Sequence, residues 1–252
     1  MVNAAIILAA GHGVRLGKGK PKPIVDVEGF KLFQLPLISL MRVGVRKFYI
    51  VTQRRIISQI SRYVAELGIK NYMIIINDET HRENGFSFYL GLKAAKEEVL
   101  FVSMSDHIYP PQVPEKILRN YRSDVDVLVA ADADPIFVDI DEATKILTEG
   151  HRVLRIGKQL RDYNFVDAGL FLVSRKILPI VERFVRRNFI VRMSSIINHL
   201  VDMGRNIYVA DITGSPWLDV DMPRELRRLI WGDAREILNE LIATANSMGV
   251  IE

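Results

Sequence analysis

Two groups of side chains in this sequence have the types and spacing to act on phosphates. The first is a loop. The apolar run over 4–10 leads into Leu8-Ala9-Ala10-Gly11-His12-Gly13-Val14-Arg15-Leu16, and Pro21-Lys22-Pro23 follows. Glycines let backbone N–H groups approach phosphate oxygens, and Arg15 and Lys22 add positive charge, so the segment is suited to wrapping a polyphosphate. The small residues Ala9 and Ala10 leave room for a flat base at the end of a strand. The second group is acidic. Asp106 follows the apolar run over 99–103, and Asp219 and Asp221 stand in Trp217-Leu218-Asp219-Val220-Asp221-Met222-Pro223. Mg²⁺ is held by a few carboxylates together with phosphate oxygens and water. These acids supply that set if the fold joins their segments, and an extended stretch would point Asp219 and Asp221 to the same side. Taken alone, Asp106 reads as a loop acid or helix cap, and Asp221 as the N-cap of a helix starting at Pro223. It is the combination with the glycine loop that favours a metal role.

Other chemistries are excluded or left without support. There is no cysteine, hence no disulfide, thiolate zinc site or cysteine nucleophile. Leu16 stands where a dinucleotide fingerprint needs its third glycine, and Val51-Thr52-Gln53 ends the second strand without an acid. Gly17-Lys18-Gly19 lacks the Ser/Thr and the upstream spacing of a Walker loop. No histidines pair at metal-ligand spacing, and His107 is expected to shape its loop rather than do chemistry. The net charge of +4 over 252 residues is mild. Arg183, Arg186, Arg187 and Arg192, with Arg224, Arg227 and Arg228, read as a solvated basic surface. That balance suits a small anionic substrate or an acidic membrane surface, and no nucleic acid is expected without a stronger stripe and interleaved aromatics. No apolar run is long enough to span a bilayer, and no basic leader precedes the first one.

The elements that must position these groups alternate in type. Short β-branched runs at 4–9, 47–52, 72–77, 99–103 and 125–131 read as strands, and 32–43, 55–67, 87–97 and 113–121 as the helices between them. This predicts an α/β fold with a mainly parallel sheet flanked by helices. Met73-Ile74-Ile75-Ile76 is continuous enough for a strand covered on both faces. The second half adds a β-hairpin portion, with 145–147 and 153–156 flanking a turn at 148–152. A strand at 166–173, helices at 176–185 and 193–203 and a strand at 206–212 follow. One C-terminal helix is expected from about Arg224 to Ala245, its apolar residues forming a single stripe. The division is thus a catalytic domain over 1–223 and a helix over 224–252 that packs on it or leads to a partner.

The string Leu8–Leu16 with Pro21-Lys22 resembles the signature of the sugar-phosphate nucleotidyltransferase superfamily, whose fold is GT-A-like and Rossmann-like. The resemblance implies that Leu8, Ala9, Ala10, Gly11 and Gly13 wrap the triphosphate, that Arg15 and Lys22 neutralise it, and that Asp106, Asp219 and Asp221 hold the metal. Asn84, Gly85 and Ser105 match positions that contact the base or acceptor, although Ser87 beside them reads equally as a cap for the following helix. A second lysine is needed at the acceptor phosphate. Lys158, in Arg155-Ile156-Gly157-Lys158, matches one in the family and otherwise reads as a solvated turn lysine. Val166-Asp167-Ala168-Gly169-Leu170-Phe171 resembles the family's Asp-Thr-Gly-Leu-Phe stretch with Ala168 for threonine, and Asp167 there would bond the acceptor or stabilise a turn.

Over residues 1–228 the sequence is most similar to the CTP:inositol-1-phosphate cytidylyltransferases. That implies CMP transfer from CTP to a phosphorylated polyol with Mg²⁺ as cofactor, in archaeal or thermophile osmolyte or phospholipid synthesis. It implies a cytoplasmic location, at the inner face of the membrane where a membrane-embedded transferase is the partner, and leaves an oligomer open. Alternatives are a sugar-1-phosphate or phosphocholine acceptor, a GT-A glycosyltransferase, or a non-catalytic domain of the same fold. Ile108 spoils the paired Asp-x-Asp of the glycosyltransferase, and retention of Lys22 and Asp106 argues against lost catalysis.

Overall fold

Strand β1 (Ala4–Ala9) is buried along its whole length because its two faces enter different cores. Ala5, Ile7 and Ala9 join one cluster, whereas Ala4, Ile6 and Leu8 join the other. A sheet apolar on both faces must be covered on both, which gives three layers. The computed structural model, which describes residues 2–11, 16 and 19–250, has this arrangement. After β1 come β2 (Asp26–Val27), β3 (Phe30–Lys31), α1 (Gln34–Arg42), β4 (Lys47–Thr52), α2 (Ile57–Glu66), β5 (Tyr72–Ile76), α3 (Asn84–Ala94), β6 (Val99–Met104), β7 (His107–Ile108) and α4 (Gln112–Asn120). The second half holds β8 (Val127–Asp132), β9 (Lys145–Glu149), β10 (Arg152–Gly157), β11 (Phe165–Ser174), α5 (Leu178–Arg187), α6 (Met193–Asp202), β12 (Ile207–Asp211), β13 (Leu218–Asp219), α7 (Pro223–Trp231) and α8 (Arg235–Ser247).

The nine-stranded sheet runs β5-β4-β1-β6-β11-β8-β12-β10-β9. Strands β5, β4, β1 and β6 are mutually parallel, so their carboxyl ends share one edge. Strand β11 runs against both β6 and β8, and β12 is parallel to β8. The β9–β10 hairpin closes the far side, its turn passing through Gly150 at φ 55°. The result is a mixed α/β sheet with helices on both faces. Apolar residues of α1, α2, α4, α7 and α8 enter one core, and those of α3, α5 and α6 the other.

Three local expectations are corrected. The C-terminal segment is two helices rather than one. Gly232 takes an extended conformation at φ −112° and ψ −156°, and a Cβ there would lie 2.8 Å from Arg228 Cα. Arg228 then grips Asp233 through two hydrogen bonds of 2.8 Å and so fixes the bend. Each helix keeps its own apolar side, Leu226 and Leu229 on α7 and Ile237, Leu238 and Leu241 on α8. Strand β5 is not covered on both faces. It is the edge of the sheet, and Met73 and Ile76 are 47% and 37% exposed. Helix α3 begins at Asn84, three residues before Ser87, so Ser87 is not its cap. Its hydroxyl instead accepts a bond from Asn77 Nδ2 at 2.8 Å.

Candidate active site

The site forms where the carboxyl ends of β1 and β6 meet a small second sheet, the edge at which open α/β sheets take ligands. Strand β1 ends in backbone held from β4. Thr52 Oγ1 donates to the Ala9 carbonyl at 3.0 Å, and Gln53 Nε2 to the Ala10 carbonyl at 2.7 Å. The Leu8 carbonyl accepts from Ser105 N at 3.3 Å, so the start of the glycine loop and the residue before Asp106 are fastened together. Leu8, Ala9, Ala10 and Ser105 are buried, whereas Gly11 is exposed with open space around it. Gly13 and Arg15 lie outside the described residues.

Asp106 and Asp219 are 113 positions apart in sequence and are joined by one ladder. In it Leu218 of β13 pairs with Ile108 of β7, and Asp219 with His107. Val220 N donates to the Asp106 carbonyl at 2.9 Å and extends it. The partners are both short and apolar where they face the core, which pins their register. Lys22 arrives from a single 3-10 turn that Pro21 starts, and Phe33 N, donating to the Pro23 carbonyl at 3.1 Å, holds that turn down. Its ammonium is buried among the three acids. It forms close ion pairs with Asp106 and Asp221 and stands 3.9 Å from Asp219 Oδ1. An ammonium costs much to bury unless paired, and here the carboxylates outweigh burial and raise its pKa. Asp221 therefore belongs to the cluster. The backbone N–H of the cap residue Met222 is satisfied by Glu225 Oε2 at 2.7 Å.

His107 completes the group. Its Nδ1 lies 3.2 Å from Asp106 Oδ1 and 3.8 Å from Asp219 Oδ1, and its ring stacks on Trp217 with centroids 6.0 Å apart. Trp217 is itself fixed by donating Nε1–H to Asp132 Oδ2 at 2.8 Å. Burial lowers the His107 pKa, but Asp219, Asp106 and Asp167 overcome it and raise it to about 9. Burial would likewise raise Asp106, yet Lys22 and His107 hold its carboxyl well below the usual range. Asp219 goes the other way, pushed up to about 6 by burial and then by Asp106 against the pull of His107.

The donor set fits a hard cation. Ligand atoms of Asp106, His107 and Asp219 lie within 4.8 Å of one another. Asp219 Oδ1 is buried and, among the described residues, accepts no hydrogen bond. Two of these three residues offer carboxylate oxygens, the donors that a magnesium-like ion prefers. His107, expected to shape its loop, pairs with Asp219 in the short ladder and packs against Gly169, and its ring also faces the carboxylates of Asp106 and Asp219.

The remaining expected residues sit at different places. Asp167 is on β11 at a bulge, where its Oδ1 accepts from Gly169 N at 2.8 Å. Burial pushes it up to about 6, and its field reaches His107 and Asp219. Asn84 and Gly85 open α3 at the same sheet edge but are engaged by the α5–α6 connection. Asn84 Oδ1 accepts from Met193 N at 2.9 Å, and a Cβ on Gly85 would come within 2.6 Å of Val191 O. Lys158 is exposed beyond β10, and its carbonyl accepts from Lys145 Nζ at 3.2 Å. The lysine that is buried in this region is Lys145, whose strand pairs with Val166 beside Asp167. Its only signal in sequence is a lysine heading an apolar run.

Sequence reasoning also passed over a cleft of about 660 Å³ that opens from Asp219 and Asp221. Its walls are the 137–143 segment and the start of α7, with Asp139, Glu142, Arg224 and Arg227 among them. Arg224 NH2 bonds Asp139 at 2.7 Å and Arg228 NH1 bonds the Phe137 carbonyl at 2.8 Å, so α7 clamps the opposite wall. Carboxylates with arginines at a cleft mouth can hold hydroxyls and a phosphate together.

Comparison with known proteins places the family and the fold. The chain is 37% identical over 224 residues to the bifunctional IPC transferase and DIPP synthase of Archaeoglobus fulgidus, a match covering 89% of the chain and 42% of that protein. The protein of the same name from Thermococcus kodakarensis is 33% identical, covering 89% of the chain and 49% of that protein. The chain thus spans about half the length of these curated relatives. The structure of the inositol-1-phosphate CTP transferase from Thermotoga maritima superposes with a TM-score of 0.87 at 24% identity, over 95% of this chain and 96% of the other, and so shares the fold. The profile described as MobA-like NTP transferase domain matches residues 5–197, and with a match over so much of its length the chain belongs to that family.

Proposed function

We propose that this chain transfers CMP from CTP to inositol-1-phosphate, giving CDP-inositol and pyrophosphate. The observation that carries the reading is the convergence of Asp106, Asp219 and Asp221 around Lys22, at the mouth of a cleft with both acidic and guanidinium walls. Names of relatives similar over 89% of the chain support the choice of base and acceptor. A phosphate oxygen of the acceptor attacks the α-phosphorus of the triphosphate, the bond to the β-phosphate oxygen breaks, and pyrophosphate leaves. The acceptor monoester has a second pKa of about 6, so it is ionised at neutral pH and needs no general base. What the site must supply is charge relief and in-line placement.

Asp106 and Asp219, with Asp221, would hold Mg²⁺, which when bound supplies charge neutralisation at the reacting phosphates. The chain's own groups do the rest. Lys22 offers a fixed ammonium beside the glycine loop, where Arg15 is expected to add a second charge. Asp139 and Glu142 face hydroxyls of a polyol, and Arg227, with no ion-pair partner among the described residues, faces its phosphate. Asn84, Gly85 and Ser105 remain the proposed base-side contacts, and Asp167 and Lys158 acceptor-side ones. On this reading the enzyme works in the cytoplasm beside a membrane-embedded transferase that consumes its product.

Pyrophosphate release measured for each nucleoside triphosphate against inositol-1-phosphate, phosphocholine and sugar-1-phosphates tests the proposal. CTP with inositol-1-phosphate should give the highest kcat/KM. Preference for a hexose-1-phosphate would refute the acceptor while sparing the reaction class.

A further inference from the structure

We propose that the turn between α5 and α6 is a docking tip for membranes that carry anionic lipid. Two large apolar side chains stand side by side at this turn in solvent, Phe189 at 67% and Ile190 at 46% exposed. Their exposure is built in. Arg82, reaching over from the 3-10 turn that precedes α3, donates to the carbonyls of Val185 at 3.0 Å, Asn188 at 3.1 Å and Phe189 at 3.1 Å. Its guanidinium lies over the Phe86 ring at 3.9 Å, and its own carbonyl accepts from Val191 N at 2.9 Å. The turn is tied down on both sides while its apolar pair is held outward. A rigid apolar pair enters the headgroup boundary without first losing conformational freedom.

Charge selects the occupant. Residues 175–192 contain six arginines and lysines and one carboxylate, a net charge of +5, whereas the whole chain carries +4. The rest of the chain is therefore slightly negative in sum, and this segment is locally basic. The lone carboxylate, Glu182, is engaged by Arg186 at 3.0 Å. Arg183 and Arg187, one helical turn apart and exposed on α5, have no ion-pair partner among the described residues. Arg192 stands 3.8 Å from Glu83. Basic side chains around an apolar point match an anionic surface with an apolar interior just below it. A nucleic acid would match the arginines but offers Ile190 nothing to pack on, and successive bases need more than one ring to stack. The inference does not depend on the acceptor or nucleotide, because none of these residues lines the proposed cleft.

Co-sedimentation of the whole chain with vesicles of phosphatidylcholine, alone or mixed with phosphatidylglycerol, tests it. Binding should require the anionic lipid and fall with added salt. Arg183→Ser and Arg187→Ser should each weaken it about fivefold, and a Phe189→Ser, Ile190→Ser double variant should lower it at least about tenfold. Far-UV circular dichroism and nucleotidyl transfer on soluble substrates should be unchanged in these variants. No binding to anionic vesicles, equal binding to neutral ones, or full binding by the double variant would overturn the proposal. So would tight binding of single-stranded RNA with the vesicles left unbound. Loss of transfer activity in the parent chain would strike the reaction assignment and leave this result standing.

Discussion

Gly169 is empty of side chain because His107 occupies the place a side chain would take. A Cβ there would lie 2.3 Å from His107 Cδ2, and the backbone is at φ 70°, where L side chains are strained. Gly169→Ala should therefore destabilise the fold by about 1–3 kcal/mol, measured by urea unfolding. It should also lower activity, since the displaced ring is the cation facing Asp106 and Asp219. Lys22 makes the converse case. Lys22→Met leaves three carboxylates crowded without their ammonium, so its thermal midpoint should fall in chelator by several degrees, about what 1–2 kcal/mol gives in a domain of this size. Added Mg²⁺ should restore more of that midpoint than it adds to the parent chain, and an equal shift in both would remove Lys22 from the electrostatic account. Asp106→Asn and Asp219→Asn should cut kcat by at least about a hundredfold with the fold retained; parent-like turnover in either would end the metal assignment. The acids and Lys22 were legible in the sequence because their types and flanking strings already narrow the chemistry. The cradle at Gly169 was not, because a positive φ and a ring 62 positions upstream are properties of the folded chain.

At the level of elements, the strands and helices that the period-two and period-3.6 patterns mark are largely where those patterns put them. The run over 4–9 is β1 and the run over 47–52 is β4, residue for residue. The failures have local causes. The stripe from Leu226 to Leu241 keeps helical spacing well enough to hide the bend at Gly232, and the Arg228–Asp233 pair that secures it is invisible to a periodicity argument. β5 has the composition of a central strand but sits at an edge, since composition does not say how many neighbours a strand will have. The same ledger gives two expectations for the C-terminal helices. Leu241→Ala on α8 removes a fully buried side chain and should cost about 2–5 kcal/mol. Asp233→Ala breaks an exposed pair with Arg228 and should cost less than about 1 kcal/mol. Chemical denaturation of the two variants side by side checks the contrast; if both lost the same amount, the bend rather than the buried side would be what holds α8.

Across the whole molecule, the candidate site residues come from widely separated parts of the sequence. The glycine loop and Lys22 lie within the first two dozen residues, Asp106 near the middle, and Asp219 and Asp221 close to the end. The family match stops at residue 197, before β13. The last acids therefore had to be found from their own string, Trp217 to Pro223, and from the expectation that parallel strands bring ligands to one edge. The cleft beside Asp219 and Asp221 was not legible, because its walls are an irregular segment and a helix start with no periodicity to report. One consequence follows from the two-residue ladder of β7 and β13. Most of the sheet can zip up while the ribosome is still adding residues, but the carboxylates of Asp106 and Asp219 cannot face one another until Leu218 and Asp219 have emerged and found Ile108 and His107. Formation of the acid pair therefore waits on residue 219, well after β1 and β6 have been made, so the sheet edge can exist before the carboxylates that the proposed reaction needs are brought to it.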